Sequence, residues 1–160
     1  MAMSNEAPQG QAARAALGET RRLVVKIGSR SLMADGTKRY ESLARQLSGQ
    51  RAVGRHPVLV SSGAVAMGRL RLGMTERPKA MDRLQAAAAT GQSGLMRAYE
   101  DAFEKHGVNV AQVLFTHADL ADRDRYLNAR GCIDALLELN VIPIINENDT
   151  VSVDELRFSD

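Results

Sequence analysis

With 160 residues, 44% of them hydrophobic and 25% charged, the chain is long enough for one domain with a real core and too apolar to be wholly disordered. Its 21 basic and 19 acidic residues leave a net charge of +2, which gives no electrostatic ground for a nucleic-acid partner. No apolar run approaches the ~20 residues of a membrane helix, and one cysteine, Cys132, excludes an internal disulfide and suits a reducing compartment.

Residues 1–20 are rich in Ala, Gln and Gly, lack the apolar stretch of a secretory signal, and are expected to form a mobile tail. Leu23 to Ile27 is short, β-branched and bounded by Gly28-Ser29, the pattern of a buried strand. Tyr40 to Val53 has apolar positions at helical spacing, ended by Gly54. Pro57 to Val60 is a second strand, broken by Ser61-Ser62-Gly63, and Ala64 to Leu72 a helix that starts straight after that turn. "GMTERPKAMDR" is a polar loop. Leu84 to Ala89 and then Gly91 to His106 are helical, with Gly107 as the stop. Val108 to Phe115 is a third strand, Tyr126 to Leu139 a helix, Val141 to Ile145 a fourth strand, and Val151 to Phe158 a weakly alternating fifth. Cys132, inside an apolar periodic stretch, is expected to be a buried structural thiol.

Strands alternating with helices predict an α/β fold of parallel βαβ units, with helices on both faces of the sheet. Ligands bind such sheets beyond the carboxyl ends of the strands. Four such exits are small or polar here: Gly28-Ser29, Ser62-Gly63, Thr116-His117 and Asn146 to Asp149. One polar loop after a strand is ordinary; four at the same edge favour a shared site.

Each exit carries a different chemistry. Lys26 lies inside an apolar strand near its end, just ahead of Gly28-Ser29, where it either snorkels to solvent or reaches an anion beside the backbone N–H groups of that turn. The order required of a Walker A loop is absent. "VLVSSGAVAMG" is a strand, a tight turn and a helix start, whose unpaired N–H groups suit a carboxylate or phosphate, although Ser62 also fits a plain N-cap. In "INENDTV", Asp149 can hold an ammonium, and the flanking Asn residues supply donors and acceptors; an Asx-rich turn is the plainer alternative. Asp119, Asp122 and Asp124 with Arg123, Arg125 and Arg130 read as a salt-bridged loop and helix start. His117 has no second histidine or cysteine at zinc-ligand spacing, and His56 and His106 look like surface residues.

The stretches "VVKIGSRSL", "VLVSSGAVAMGRLRLG", "LQAAAATGQSGLM", "AQVLFTHADLADRDRYLNAR" and "VIPIINENDTV", in this order from about Arg21 to Asp160, resemble the glutamate 5-kinases of the amino-acid kinase family. The same domain forms the amino half of the fused pyrroline-carboxylate synthases. The resemblance implies a three-layer α/β/α sandwich and ATP- and Mg²⁺-dependent phosphorylation of the γ-carboxylate of L-glutamate, an early step of proline synthesis, by a cytoplasmic homo-oligomer. Transferred onto matching positions, it implies that Lys26 contacts the ATP phosphates beside Gly28 and Ser29. Ser62 and Asp149 would bind glutamate, with the Gly63-Ala64 backbone and Asn146 as further members of that pocket. Where the family closes this segment with Gly-Asp-Asn-Asp, Phe158-Ser159-Asp160 has Ser for the Gly and ends before the Asn-Asp. On the resemblance, residues 21–160 are therefore expected to be an amino-terminal glutamate-binding lobe, inactive without a carboxyl half that carries the nucleotide-base pocket, whether fused or a separate chain. The alternative is a non-catalytic glutamate-binding or dimerising module. Action on N-acetylglutamate or a nucleoside monophosphate is disfavoured by the intact INENDTV.

Overall fold

Four β-branched runs become four parallel strands, each opening at its carboxyl end onto small or polar residues. The computed structural model describes residues 18–152. Its elements are β1 (Arg22–Ile27), α1 (Ser29–Met33), α2 (Thr37–Ala52), β2 (His56–Ser61), α3 (Ala64–Arg71), α4 (Met81–Glu104), β3 (Val110–Phe115), α5 (His117–Ala121), α6 (Arg123–Glu138) and β4 (Ile142–Glu147). All strand pairs are parallel, in the order β1-β2-β4-β3.

That order dictates the layers. The chain steps from β1 to β2 to β3 in one direction, then returns to insert β4. Right-handed crossovers put helices from forward steps on one face and those from the return step on the other. Accordingly α2, α3 and α4 pack together, while α6 crosses the opposite face and ties back to β1 through an Arg22–Asp134 ion pair of 2.6 Å. The result is an α/β/α sandwich with unequal outer layers. The core lies under α2 and α4, where Ile27, Leu59, Ile142 and Ile144 meet Tyr40, Leu47, Leu95, Tyr99 and Phe103. The α6 face is thinly covered: α6 buries only Leu137, and Val24 of the edge strand is 61% exposed.

Several expectations shift. The segment expected as two helical stretches is one helix of 24 residues that starts at Met81. Gly91 does not interrupt it; there the backbone of α3 crosses. A β-carbon on Gly91 would stand 1.8 Å from the Ala64 carbonyl oxygen, and one on Gly68 would stand 1.7 Å from that of Ala87. β4 runs two residues beyond Ile145, so Asn146 and Glu147 belong to the strand and not the turn. Cys132 is exposed, not buried, because α6 turns most of its surface to solvent. The expected tail lies, as far as residue 17, outside the described residues, as does the expected fifth strand from residue 153 onward; its first two residues, Val151 and Ser152, form a turn, both donating their N–H groups to the Asn148 carbonyl. Among the described residues no helix is long and apolar enough to cross a membrane.

Candidate functional site

The β1 and β2 exits are joined first. Ile27 and Ser61 are register partners, and the Ser62 hydroxyl donates to the Ile27 carbonyl across 3.3 Å. Gly63 follows with φ 117°, a left-handed conformation that only glycine adopts without strain. It also stands against Ser29, whose Cβ would lie 3.6 Å from a Gly63 β-carbon. Gly63 is the N-cap of α3 and supplies no side-chain cap. The first N–H groups of α3, beginning with Ala64, therefore have no intrahelical or capping acceptor, which leaves a positive dipole end at this turn. Gly28 is exposed and its missing side chain would meet open space.

Below this turn the sheet is pinned to α4. The buried Ser61 hydroxyl and the Tyr99 hydroxyl are 2.8 Å apart, and Tyr99 packs edge-on against Tyr40. Burial pushes both phenols up from their ordinary range, although the Ser61 hydrogen bond pulls Tyr99 the other way. Both stay neutral at any physiological pH.

The β4 exit is built around Asn146, only 8% exposed. Its Oδ1 accepts the Glu147 N–H at 2.9 Å, and its Nδ2 donates to Gln92 Oε1 of α4 at 2.8 Å. Asn148 donates its N–H to the Phe115 carbonyl at 2.8 Å, joining the β4 loop to β3. The Ser152 hydroxyl bonds the Glu147 carboxylate. Asp149 is half-buried and lines a small cavity of about 20 Å³ with Ala88, Ala89, Gln92, Leu114, Glu147, Asn148 and Thr150.

The β3 exit forms a capping box. The Thr116 hydroxyl accepts the Asp119 N–H, and the Asp119 carboxylate accepts the Thr116 N–H and hydroxyl. Arg125 reaches the other carboxylate oxygen at 2.8 Å. These donors, the Thr116 hydroxyl foremost, hold the Asp119 carboxyl down at about 2. Asp122 caps α6 by accepting the N–H groups of Asp124 and Arg125. A larger cavity of about 410 Å³ opens here, bounded by Thr116, His117, Ala118, Asp119, Arg125, Asn148, Val151 and Ser152.

All eight residues singled out from the sequence lie along this one edge, but in separate groups. Lys26, Gly28, Ser29, Ser62, Gly63 and Ala64 occupy the β1–β2 side, and Asn146 and Asp149 the β4 side. None of them lines the larger cavity, which belongs to the β3–β4 side of the same edge. Register also separates two of them. Lys26 pairs with Val60 and Val60 with Ile145, whereas Asn146 alternates with Ile145. Lys26 therefore points to the α6 face, where it is exposed, and Asn146 to the α4 face. The expected salt bridging of Asp119 with Arg125 is present, but the cap that Asp119 makes with Thr116 and the role of Gln92 were missed. The Thr116-x-x-Asp119 spacing is a capping signature visible in the sequence. Gln92 carries no sequence signal, because only the packing of α4 brings it to β4.

A family model described as the amino acid kinase family matches residues 21–160. Glutamate 5-kinase from Azoarcus sp. (strain BH72) is 57% identical over 144 residues, a match covering 88% of this chain and 39% of that protein. Glutamate 5-kinase from Paraburkholderia phytofirmans is 53% identical over 151 residues, covering 92% and 41%. The chain thus spans about two fifths of the length of the curated relatives it matches. Among solved structures, carbamate kinase from Giardia lamblia bound to AMP-PNP superposes with TM-score 0.51 at 17% identity, over 84% of this chain and 58% of that one. A T. acidophilum isopentenyl phosphate kinase product complex gives 0.50 at 14% identity, over 79% and 54%. At that identity the likeness concerns the fold alone.

Proposed function

The chain belongs to the amino acid kinase family, and from that premise we propose that residues 21–160 are the glutamate-binding lobe of a cytoplasmic glutamate 5-kinase. The reaction moves the γ-phosphoryl group of ATP to the γ-carboxylate of L-glutamate: a carboxylate oxygen bonds to phosphorus, the bond to ADP breaks, and glutamyl 5-phosphate forms. A γ-carboxylate with a pKa near ~4.3 is already ionised at neutral pH, so no general base is needed. Catalysis of such a transfer is mainly positioning and charge stabilisation.

The strand exits supply both. The observation that carries the reading is the uncapped α3 N-terminus, seated on the Gly63 turn and tied to β1 through Ser62. Unclaimed N–H groups of that kind fit an anionic oxygen, either carboxylate or phosphate. Ser62, Gly63 and Ala64 hold the anionic end of glutamate, Asn146 adds a carboxamide donor, and Asp149 pairs with the α-ammonium. Lys26, on the open face and next to Gly28, which borders open space, holds the nucleotide phosphates and offsets charge as it shifts during transfer. ATP supplies the phosphoryl group, and the accompanying Mg²⁺ neutralises charge between its phosphates; no described residue is assigned to the metal.

The test is to assay glutamate-dependent ADP release by the 160-residue chain, and by the same chain completed with the remaining length of the Azoarcus relative. The reading expects no turnover from the first and turnover from the second. Turnover by the 160 residues alone would show that they are more than a lobe, and a soluble completed protein without glutamate-dependent activity would overturn the function.

A further inference from the structure

The hydrogen bonds around Asn146 have only one self-consistent sense. A backbone N–H can only donate, so the Glu147 N–H requires Asn146 to present Oδ1. The Nδ2 end must then face Gln92, and Gln92 must answer with its oxygen, 2.8 Å away. This assignment follows from donor and acceptor chemistry and not from telling N from O in a side chain. A primary amide has two N–H donors. Gln92 takes one, which leaves Asn146 a single fixed donor at the exit of β4.

Gln92 and Tyr99 lie seven residues apart, on one face of α4. Each bonds a buried polar residue on a neighbouring strand, Asn146 of β4 and Ser61 of β2. Gln92 also lines the small cavity beside Asp149. Among the described residues its own Nε2 is buried without a partner, which is a cost to the fold and argues for a role other than packing.

We propose that Gln92 is a positioning residue of this site. It holds the Asn146 carboxamide with an N–H toward the ligand and so sets that position to read a carboxylate oxygen. The ligand's identity rests on the glutamate reading above; the orientation of Asn146 does not.

The test uses Gln92→Met, which removes the acceptor, and Gln92→Glu, which retains an acceptor oxygen in either protonation state. Two readouts separate the proposal from the function. In the 160-residue chain, the Asn146 side-chain amide protons are followed by ¹⁵N NMR. Slow solvent exchange and a downfield shift of the amide proton that faces Gln92 are expected in the wild type and Gln92→Glu, and loss of both in Gln92→Met; the two protons stay distinct in all three, because the amide C–N bond rotates slowly. In the completed enzyme, Gln92→Met is expected to raise the glutamate KM about tenfold, as loss of one hydrogen bond to a carboxylate does, with ATP KM close to wild type, a modest fall in Tm because the buried Asn146 Nδ2 loses its acceptor, and most of the loss recovered by Gln92→Glu. An Asn146 amide unchanged in Gln92→Met overturns the proposal whatever the enzyme does. So does a loss that Gln92→Glu fails to relieve, or one that falls equally on glutamate KM and ATP KM. A completed wild type that ignores glutamate would refute the function while the NMR result still decides the role of Gln92.

Discussion

Gly91→Ala is the sharpest test of how the site is held. α3 and α4 cross with their backbones in contact, Ala64 and Gly68 on one side and Ala87 and Gly91 on the other. A β-carbon at position 91 would sit 1.8 Å from the Ala64 carbonyl oxygen and 2.4 Å from the Gly68 nitrogen. Ordinary contact needs about 3.5 Å, so the helices must part by more than an ångström, and no rotamer change relieves a backbone clash. Overpacking of this kind costs about 1–3 kcal/mol and occasionally more. The better helix propensity of alanine returns up to ~1 kcal/mol. Because the clash is with backbone, the net loss should fall near ~2 kcal/mol, or roughly 4–8 °C in Tm for a chain of this size. Thermal unfolding followed by circular dichroism measures it. Gly131→Ala on α6 is the control: its β-carbon meets nothing within 4 Å, so the same propensity gain should raise stability by up to ~1 kcal/mol. In the completed enzyme the shift should also raise the glutamate KM, since Ala64 is both the residue struck and the first residue of α3. A Gly91→Ala chain as stable as the wild type would refute the close crossing and the rigid seating of α3 that follows from it.

Other variants separate the two ends of the site. In the completed enzyme, Asp149→Ala should raise the glutamate KM more than the ATP KM, through the ~2–5 kcal/mol typical of breaking a desolvated charge pair; Lys26→Ala should chiefly lower kcat. Steady-state kinetics with both substrates decides it, and exchanged phenotypes would invert the assignment. Tyr99→Phe should cost about 1 kcal/mol by leaving the buried Ser61 hydroxyl without its best partner, measurable by urea unfolding; no loss would mean that the Ser61 contact contributes nothing. Asp119 should stay ionised down to about pH 2 in a carboxyl NMR titration. Its folded pKa lies below the unfolded value, so its stabilisation is present above pH ~4 and fades as pH falls toward the folded value. The stability gap between wild type and Asp119→Asn should close over that interval, and a gap independent of pH would contradict it.

Much of this was legible in the residues. The β-branched runs, the glycine stops and the polar strand exits are local signals, and they marked the four parallel strands, the main helices and the edge that carries the candidate site. The Asn and Asp of INENDTV stood out because so many polar groups at a strand exit need partners. The Thr116-x-x-Asp119 cap was equally local, so α5 was there to be found.

What remained depends on contacts between residues far apart in sequence. Period-two alternation says that Lys26 and Val25 face opposite sides of β1. It does not say which side Asn146 of β4 shares, because cross-strand register is set by pairing and not by either strand alone. Cys132 looked buried because helical spacing shows which residues share a face but not whether anything covers it; the return crossover left the α6 layer thin. Gly91 reads as a weak point in a helix and is a contact, since the reason for its missing β-carbon is the carbonyl of Ala64 in another element. Gln92 is one more polar residue on a helix until α4 packs against β4. Composition and periodicity determine which segments can be strands or helices, because those preferences act over a few residues; only tertiary packing decides which donor meets which acceptor, because a hydrogen bond forms within about 3 Å whatever the separation along the chain.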